Sequence, residues 1–389
     1  MKIAFILSTC QKSGPFIVAG EIINNINLQD NQIDIFYIKD SKVKISFKCH
    51  RLIKVKLYNR LDLSSYDILH SHGFLGDLYT FLNSSSIQGK WISTLHQKIQ
   101  VDYGMNYGKM IGILLEKFWC MLLGKCNVVV TLTQEMKVYY ESKFSNRLTF
   151  IHNGVSSELS LQALAKEDIS KIDAFKKKHI TLGISANLIF RKGIDQVIRF
   201  LSLPDASKFG LIIIGDGPLK SDLISLARQF SVEERCLFLG FKQNAIDYYR
   251  FFDVYVMSSR SEGFGLCVIE AASQKIPIVC NSLNVFNELF DTHEICRFKL
   301  DDVKSLLEAL TYTVQNKDQL SFLVNEKYIK NYTSKIMSNK YFKLYKEVLN
   351  EPKDFSSKYE ATTKNRNLLF AHWNFYSLCL QSSKIRTNR

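Results

Sequence analysis

The part of the sequence with the clearest chemical content is the run Ser261–Glu270, which reads SEGFGLCVIE. Its two glycines, Gly263 and Gly265, allow backbone N–H groups to come close to a ligand, because glycine tolerates conformations that other residues avoid. A helix that begins at Leu266 would add unpaired N–H donors and the positive end of its dipole. The run therefore predicts a ligand site at the start of a helix.

Two acids frame these glycines. Glu270 follows one turn inside the expected helix, where a carboxylate can accept both hydrogen bonds from a ribose diol. Glu262 precedes the glycines and can reach a different part of the same ligand, such as sugar hydroxyls. Taken alone, the run is equally compatible with a glycine-rich turn that carries two solvated acids.

A second candidate element places two adjacent cations, Arg191 and Lys192, just ahead of an expected helix start at Ile194. Such a pair fits a diphosphate, because each charged hydrogen bond contributes roughly 1.5–3 kcal/mol when it is desolvated. A basic surface loop is the alternative, since the chain carries a net charge of +14.

A third element, Gly215–Lys220, follows another apolar run and reads GDGPLK. It is similar to the first two glycines of a dinucleotide fingerprint. Lys220, however, stands at the place of the third glycine, which argues against binding of NAD.

Short apolar runs alternate with helix-like segments, and these elements must position the candidate residues. The expected strands of the first half are Lys2–Leu7, Ile33–Tyr37, Asp67–His70, Trp91–Leu95, Val128–Leu132 and Thr149–Ile151. Those of the second half are Thr181–Ser185, Leu211–Ile214, Cys236–Leu239, Asp253–Met257 and Pro277–Cys280. Strands that are apolar throughout are typical of a parallel sheet covered on both faces, so the pattern predicts two doubly wound α/β domains.

We expect a first doubly wound domain over residues 1–155, a linker over 156–178, a second doubly wound domain over 179–350 and a basic aromatic tail over 351–389. Two doubly wound domains in series usually hold a ligand in the cleft between the carboxyl ends of their strands.

In this order and at these strand ends, the motifs make the chain resemble the retaining glycosyltransferases of family 4. That family has the GT-B fold, in which two Rossmann-like domains face each other across a cleft. The resemblance rests on Arg191-Lys192-Gly193, on Gly215-Asp216-Gly217-Pro218 and on the E-x7-E pair Glu262 and Glu270. It covers about 350 residues and is closer in the second half than in the first.

The resemblance implies roles for the residues of the second half. Arg191 and Lys192 would neutralise the donor diphosphate, and Glu270 would bind the ribose. Glu262, together with the backbone amides of Gly263, Phe264, Gly265 and Leu266, would hold the transferred sugar. Gly240 and Phe241 would face the nucleobase. Because side-chain cations and helix amides carry the leaving-group charge, no metal and no further cofactor are expected.

The first half matches this family with departures. Gly14 stands in the family's phosphate-covering loop, but Pro15 replaces the usual second glycine and supplies no N–H. His96 matches the family's active-site histidine, although Gln97 stands where an Asp often follows. His70 and His72 lie at another strand end, where we expect them to line the cleft.

The resemblance thus implies a retaining, metal-independent hexosyltransferase that uses a nucleoside-diphosphate sugar. A glycan or lipid-linked acceptor in surface polysaccharide or lipopolysaccharide synthesis is the expected partner. Two alternatives stay open: a sugar-nucleotide epimerase of the same fold, and a non-catalytic nucleotide-sugar-binding subunit. A nucleic-acid binder is indicated only by the charge, since no helix-turn-helix, RRM or zinc pattern accompanies it.

The sequence also bears on the location of the protein. Nine cysteines without a CxxC pair are typical of a reducing compartment, and no apolar run is long enough to span a membrane. We therefore expect a cytoplasmic protein. The tail carries seven Lys and Arg against three acids, with interleaved aromatics. This pattern fits peripheral contact with the anionic inner face of the cell membrane, or a tail that packs on its own enzyme or stays disordered.

Overall fold

The computed structural model of the chain describes residues 1–10, 13–40, 45–159 and 164–351. The first sheet has seven strands: β1 (Lys2–Thr9), β2 (Gln32–Lys39), β3 (Arg51–Lys54), β4 (Ile68–His72), β5 (Lys90–Leu95), β6 (Val128–Thr131) and β7 (Arg147–Phe150). All neighbouring strands are parallel, in the order β3-β2-β1-β4-β5-β6-β7. The strand order therefore reverses between β1 and β4, which is where a doubly wound sheet opens a crevice for a ligand.

The second sheet has six strands: β8 (Ile180–Ser185), β9 (Phe209–Ile214), β10 (Cys236–Gly240), β11 (Val254–Met257), β12 (Ile278–Asn281) and β13 (Cys296–Phe298). These strands are also all parallel, in the order β10-β9-β8-β11-β12-β13, with the reversal between β8 and β11. Two doubly wound sheets confirm the predicted fold class.

The helices of the first half are α1 (Gly14–Asn24), α2 (Gly73–Leu82), α3 (Ile99–Tyr107), α4 (Lys109–Leu123) and α5 (Gln134–Glu141). Those that follow are α6 (Lys166–Lys176), α7 (Ile194–Leu201), α8 (Lys220–Gln229), α9 (Leu266–Ser273), α10 (Asn284–Leu289), α11 (Val303–Gln315), α12 (Lys317–Asn331) and α13 (Ser334–Asn350). No helix in the described ranges is both long enough and apolar enough to cross a membrane.

Every predicted strand is present, with ends shifted by a residue or two. Strand β1 shows why its sequence is apolar throughout. Ile3, Phe5 and Leu7 belong to the core on one face of the first sheet, whereas Ala4 and Ile6 belong to the core on the other. The sequence analysis missed β3 and β13, because these edge strands carry the charged residues Arg51, Lys54 and Arg297 in place of a continuous apolar run.

Helix α13 corrects the predicted domain arrangement. This helix ends the segment 179–350, which the sequence analysis assigns to the second domain. Its apolar side, however, joins the core of the first sheet. Met337, Tyr341, Leu344, Tyr345 and Val348 are buried there beside β1 and α1. Their three- and four-residue spacing forms one helical stripe, and that stripe is covered by the first sheet, whose strand β1 lies more than three hundred residues earlier in the chain.

A buried polar network holds α2 against β4 and β5. One carboxyl oxygen of Asp77 accepts hydrogen bonds from the hydroxyls of Ser71 at 2.6 Å and Ser93 at 2.7 Å. The other accepts from the indole N–H of Trp119 at 2.7 Å. Burial raises the pKa of Asp77 to about 6, although the three donors oppose this rise. The carboxyl group therefore costs stability in its ionised form.

Apart from Glu351, the predicted tail over residues 351–389 lies outside the described residues.

Candidate active site

The candidate residues lie at the carboxyl ends of strands in both sheets. His72 ends β4, and His96 follows directly after β5. In the second half, the cation pair follows β8, while the glycine-rich run follows β11 and leads into α9, which begins at Leu266 as predicted. Both strand pairs, β1/β4 and β8/β11, mark the points at which strand order reverses.

Glu262 is the centre of a buried ionic cluster. Its Oε1 accepts hydrogen bonds from Lys192 Nζ at 2.5 Å and from the Ser259 hydroxyl at 2.7 Å. Its Oε2 lies 3.8 Å from Arg191 Nη1. Only 7% of the Glu262 side chain is exposed. Burial alone would raise the pKa of this carboxyl, but Lys192 and Arg191 outweigh it and lower the pKa, so Glu262 is ionised at neutral pH.

Asp102, on α3 of the first half, joins the same cluster. Its carboxylate accepts a hydrogen bond from the Ser261 hydroxyl at 3.0 Å, and its Oδ2 lies 3.9 Å from Arg191 Nη1. Arg191 also donates to the Ser261 carbonyl at 2.9 Å. Burial raises the pKa of Asp102, and the Arg191 charge opposes that rise. The two halves of the chain thus meet through one arginine, one serine and one aspartate.

The sequence analysis did not identify Asp102. It lies on α3, two residues before Gly104, in a segment that matches no motif with known chemistry. Its contact with Ser261 spans 159 residues. Only the folded arrangement of the two sheets shows that it belongs to the site.

His96 lies against the glycine-rich run. A Cβ atom added to Gly263 would lie 2.4 Å from the carbonyl oxygen of His96, so the two backbones are in close contact. The His96 ring is joined to His72, with 3.0 Å between His96 Nε2 and His72 Nδ1. Burial lowers the pKa of His96 to about 3, and the ring is therefore neutral at physiological pH.

His70 does not line the cleft, contrary to the expectation from its strand-end position. It is fully buried, and both ring nitrogens are occupied. Nδ1 lies 2.7 Å from the hydroxyl of Tyr345, and Nε2 lies 2.8 Å from the hydroxyl of Thr94. His72 is also fully buried, so neither ring is a surface group.

Gly14 and Leu266 approach each other from opposite halves. A Cβ atom on Gly14 would lie 3.5 Å from Leu266 Cδ1, which is ordinary contact. Gly14 begins α1, and Pro15 follows it at the first turn, where a missing N–H disrupts no helical hydrogen bond. Gly265 caps α9 with a φ of +82°, a conformation that favours glycine.

The other candidates of the second half lie around this centre. Glu270, on α9, accepts a hydrogen bond from the Tyr249 hydroxyl at 2.9 Å. Phe264 is buried against His152 and Tyr332, so its backbone rather than its ring is available to a ligand. Phe241, by contrast, is 58% exposed.

Backbone hydrogen bonds join the three loops of the second half into one surface. The amide of Gly215 donates to the carbonyl of Gly240 at 2.9 Å. The amide of Leu188, in the cation loop, donates to the carbonyl of Asp216 at 3.0 Å. The structure thus brings Arg191, Lys192, Glu262, Gly263 and His96 into one cluster and ties the Gly240 turn to the neighbouring loop.

This combination of two facing doubly wound sheets with cations and glycines at their strand ends defines a GT-B protein. The family model "Glycosyl transferases group 1" matches residues 165–332. The chain is 30% identical over 358 residues to the O-antigen biosynthesis glycosyltransferase WclY of Escherichia coli, covering 90% of this chain and 99% of that protein. The protein belongs to the group 1 glycosyltransferases.

A more distant relative is the UDP-Gal:alpha-D-GlcNAc-diphosphoundecaprenol alpha-1,3-galactosyltransferase of Escherichia coli. It is 24% identical over 330 residues, which are 79% of each chain. Among solved structures, sucrose-phosphate synthase from Thermosynechococcus elongatus and Anabaena HepE in complex with UDP and glucose both superpose with a TM-score of 0.72. Both are 15% identical to this chain, and each superposition covers 89% of it. The superposition covers 98% of the synthase and 99% of HepE. At that identity they show the shared fold.

Proposed function

We propose that the protein is a retaining, metal-independent glycosyltransferase of family 4. It moves a hexosyl group from a nucleoside-diphosphate sugar to a glycan or lipid-linked acceptor in the synthesis of O-antigen or a related surface polysaccharide. The observation that carries this proposal is the buried cluster of Arg191, Lys192 and Glu262, which faces His96 from the other half of the chain.

The cluster supplies what a departing diphosphate requires. In the structure, Glu262 pairs with both cations, and its side chain is more deeply buried than theirs. A diphosphate entering beside them offers the cations a second anionic partner. Glu262 can then accept hydrogen bonds from sugar hydroxyls. Because Arg191 and Lys192 are fixed in place before the reaction, they stabilise the developing phosphate charge with little reorganisation.

In the proposed reaction, the bond between the anomeric carbon and the diphosphate oxygen breaks, and its electron pair stays with the phosphate. The acceptor hydroxyl oxygen bonds to the same carbon on the face that the phosphate leaves. Its proton passes to the departing phosphate oxygen. This route needs no protein base and no metal, and it retains the configuration of the sugar.

The names of the relatives support the acceptor class. WclY is named for O-antigen biosynthesis, and the galactosyltransferase is named for a sugar linked to diphosphoundecaprenol. The galactosyltransferase is named for UDP-Gal, and the HepE structure contains UDP. Uridine nucleotides are therefore the first donors to test. We extend the acceptor class, but not a particular sugar or linkage, to this protein.

We also propose peripheral contact with an anionic membrane, because a lipid-linked acceptor resides there. The outer face of α4 supports this contact. Met110, Leu114 and Met121 are 68%, 48% and 53% exposed, and exposed lysines accompany them at Lys109, Lys117 and Lys125. An apolar stripe with basic neighbours is suited to the interface of an anionic bilayer.

Donor binding tests the central proposal. Calorimetry with UDP and GDP in the presence of a chelator should show binding of one of them by the wild type. Lys192→Gln should weaken it roughly 10- to 100-fold, because one desolvated charged hydrogen bond contributes about 1.5–3 kcal/mol. Lys171→Gln is the matched control, since Lys171 lies on exposed α6 in a pair with Glu167. Equal affinities for all three proteins would contradict the assignment of Lys192.

Transfer itself is tested with the nucleotide sugar that binds. We expect turnover in the chelator and a product whose anomeric configuration, read by NMR, equals that of the donor. Glu270→Ala should raise the donor KM, because the ribose would lose its carboxylate partner. Nucleotide release without an acceptor-linked product would favour an epimerase, and an inverted product would contradict retention.

Vesicle sedimentation tests the membrane contact. Phosphatidylcholine vesicles that contain phosphatidylglycerol should bind the wild type, and Leu114→Glu with Met121→Glu should reduce that binding. Val138→Glu is the matched control, because Val138 is an exposed apolar residue on α5. The contact would be assigned to the tail instead if the α4 variant bound vesicles as well as the wild type and if removal of residues 352–389 abolished binding.

A further inference from the structure

His72 has a feature that packing does not explain. Its side chain is completely buried, and its Nε2 has no hydrogen-bond partner among the described residues. Its Nδ1 has one partner, His96 Nε2, at 3.0 Å. The neighbouring His70 is equally buried, but both of its nitrogens are bonded. A buried polar atom without a partner lowers stability, so an apolar residue would serve the core better at position 72.

We propose that His72 is a positioning residue that fixes the tautomer of His96, so that the His96 ring presents an N–H donor from Nδ1 to an oxygen of the bound substrate. This inference rests on the proposed function, because it assigns a substrate contact to His96. It goes beyond that function in naming the direction of the hydrogen bond and the residue that sets it.

The argument follows from counting protons. Burial keeps both rings neutral, so one proton lies between His72 Nδ1 and His96 Nε2. If His96 donated it, the only proton of the His72 ring would be on Nε2, as a buried N–H without a partner. If His72 donates it, Nε2 is left with an unpaired acceptor, which buried structures tolerate better than an unpaired N–H. The second arrangement is therefore favoured.

The consequence for His96 is direct. Its Nε2 accepts the proton of His72, so its own proton lies on Nδ1, the other hydrogen-bonding atom of the ring. A neutral ring in this form donates to an oxygen such as a sugar hydroxyl and does not remove a proton from it through Nδ1. The backbone of His96 touches Gly263, so the residue lies beside the glycine-rich run of the proposed sugar site.

Two substitutions of His72 separate this role from packing. The amide nitrogen of Asn occupies nearly the same place as His Nδ1, so His72→Asn keeps the donor to His96. His72→Leu removes it and also removes the unpaired polar atom. We expect His72→Leu to lower kcat on the order of tenfold, with the melting temperature unchanged or higher. We expect His72→Asn to stay within about threefold of the wild-type kcat, because one hydrogen bond is retained.

Tyr79→Phe is a matched control for the removal of a buried polar atom. The Tyr79 hydroxyl is also buried without a partner among the described residues, but it lies in the core on the other face of the first sheet. This variant should change the melting temperature in the same direction as His72→Leu and leave kcat unaffected.

The tautomer is read directly by nitrogen-15 NMR of histidine-labelled full-length protein, with His96→Gln to assign the ring. The wild type should show a protonated Nδ1 and an unprotonated Nε2 at His96, and His72→Leu should lose this pattern. This measurement needs no substrate, so it remains decisive if the proposed reaction fails. A protonated Nε2 at His96 in the wild type would overturn the inference. Equal kcat losses in His72→Asn and His72→Leu would overturn it as well.

Discussion

Gly263→Ala tests whether the close contact between the two halves is needed for turnover. The added Cβ would lie 2.4 Å from the carbonyl oxygen of His96 and 3.4 Å from Gln97 Cα. Ordinary contacts begin near 3.4 Å, so the two backbones would have to separate by about one ångström. The clashing atom, the His96 carbonyl oxygen, belongs to the backbone and cannot turn away as a flexible side chain would.

The expected loss follows from this displacement. A misplacement of about 1 Å between catalytic groups can cost on the order of 100-fold in rate, which corresponds to about 2.7 kcal/mol of transition-state stabilisation. We therefore expect Gly263→Ala to lower kcat about 100-fold. Because φ at Gly263 lies outside the left-handed region, the substitution adds no backbone strain of its own.

Gly104→Ala is the matched control. Gly104 lies in α3, and the nearest atom to an added Cβ is Lys109 Cα at 3.7 Å, which is ordinary contact. Alanine also favours the helix by about 0.5–1 kcal/mol. Steady-state nucleotide release and thermal melting would be measured for both variants. A Gly263→Ala kcat within about threefold of the control would refute the inferred contact.

Two further predictions concern single charges. Arg191→Ala should lower kcat by roughly 10- to 100-fold with little change in acceptor affinity, because the proposed hydrogen bond to the diphosphate would strengthen as the leaving group gains charge. An effect confined to the acceptor KM would contradict this role. For Asp77, whose pKa is raised to about 6, the folded state binds the proton more tightly than the unfolded chain. Its contribution to stability is present at about pH 4 and is lost as the pH rises to about 6, a change of about 3 kcal/mol. Asp77→Asn should remove this pH dependence. The free energy of unfolding of the wild type and of the variant would be measured in urea at pH 4.5 and pH 7. An equal change in this free energy between the two pH values in both proteins would contradict the reasoning.

The residues that the second half of the chain contributes to the site could be predicted from sequence because their signals are local. The cations, the glycine-rich run and the acids Glu262 and Glu270 each lie within a few residues of a strand end. In a parallel sheet, the carboxyl ends of the strands meet along one edge, so local patterns are enough to place these residues together. The continuous apolar runs similarly gave both sheets, because each strand is buried on two faces.

The first half of the chain is different, because the contacts that bring its residues into the site join positions far apart in sequence. Asp102 reaches Ser261 across 159 residues, and its own segment has no motif. The role of α13 is also hidden, since an apolar stripe predicts only that a helix is covered, not which sheet covers it. Sequence contiguity therefore assigned α13 to the wrong half.

That helix also explains why the histidines could not be interpreted from sequence. Tyr345 bonds His70 across 275 residues, and Tyr341 lies 3.0 Å from the hydroxyl of Thr94, which in turn bonds His70. The polar core around His70, His72 and His96 is thus completed by the last helix of the described chain. Since α13 follows the whole second half in sequence, the histidine cluster can take its final form only after that half has been synthesised. The site is therefore a property of both halves together, although its recognisable motifs belong mainly to one of them.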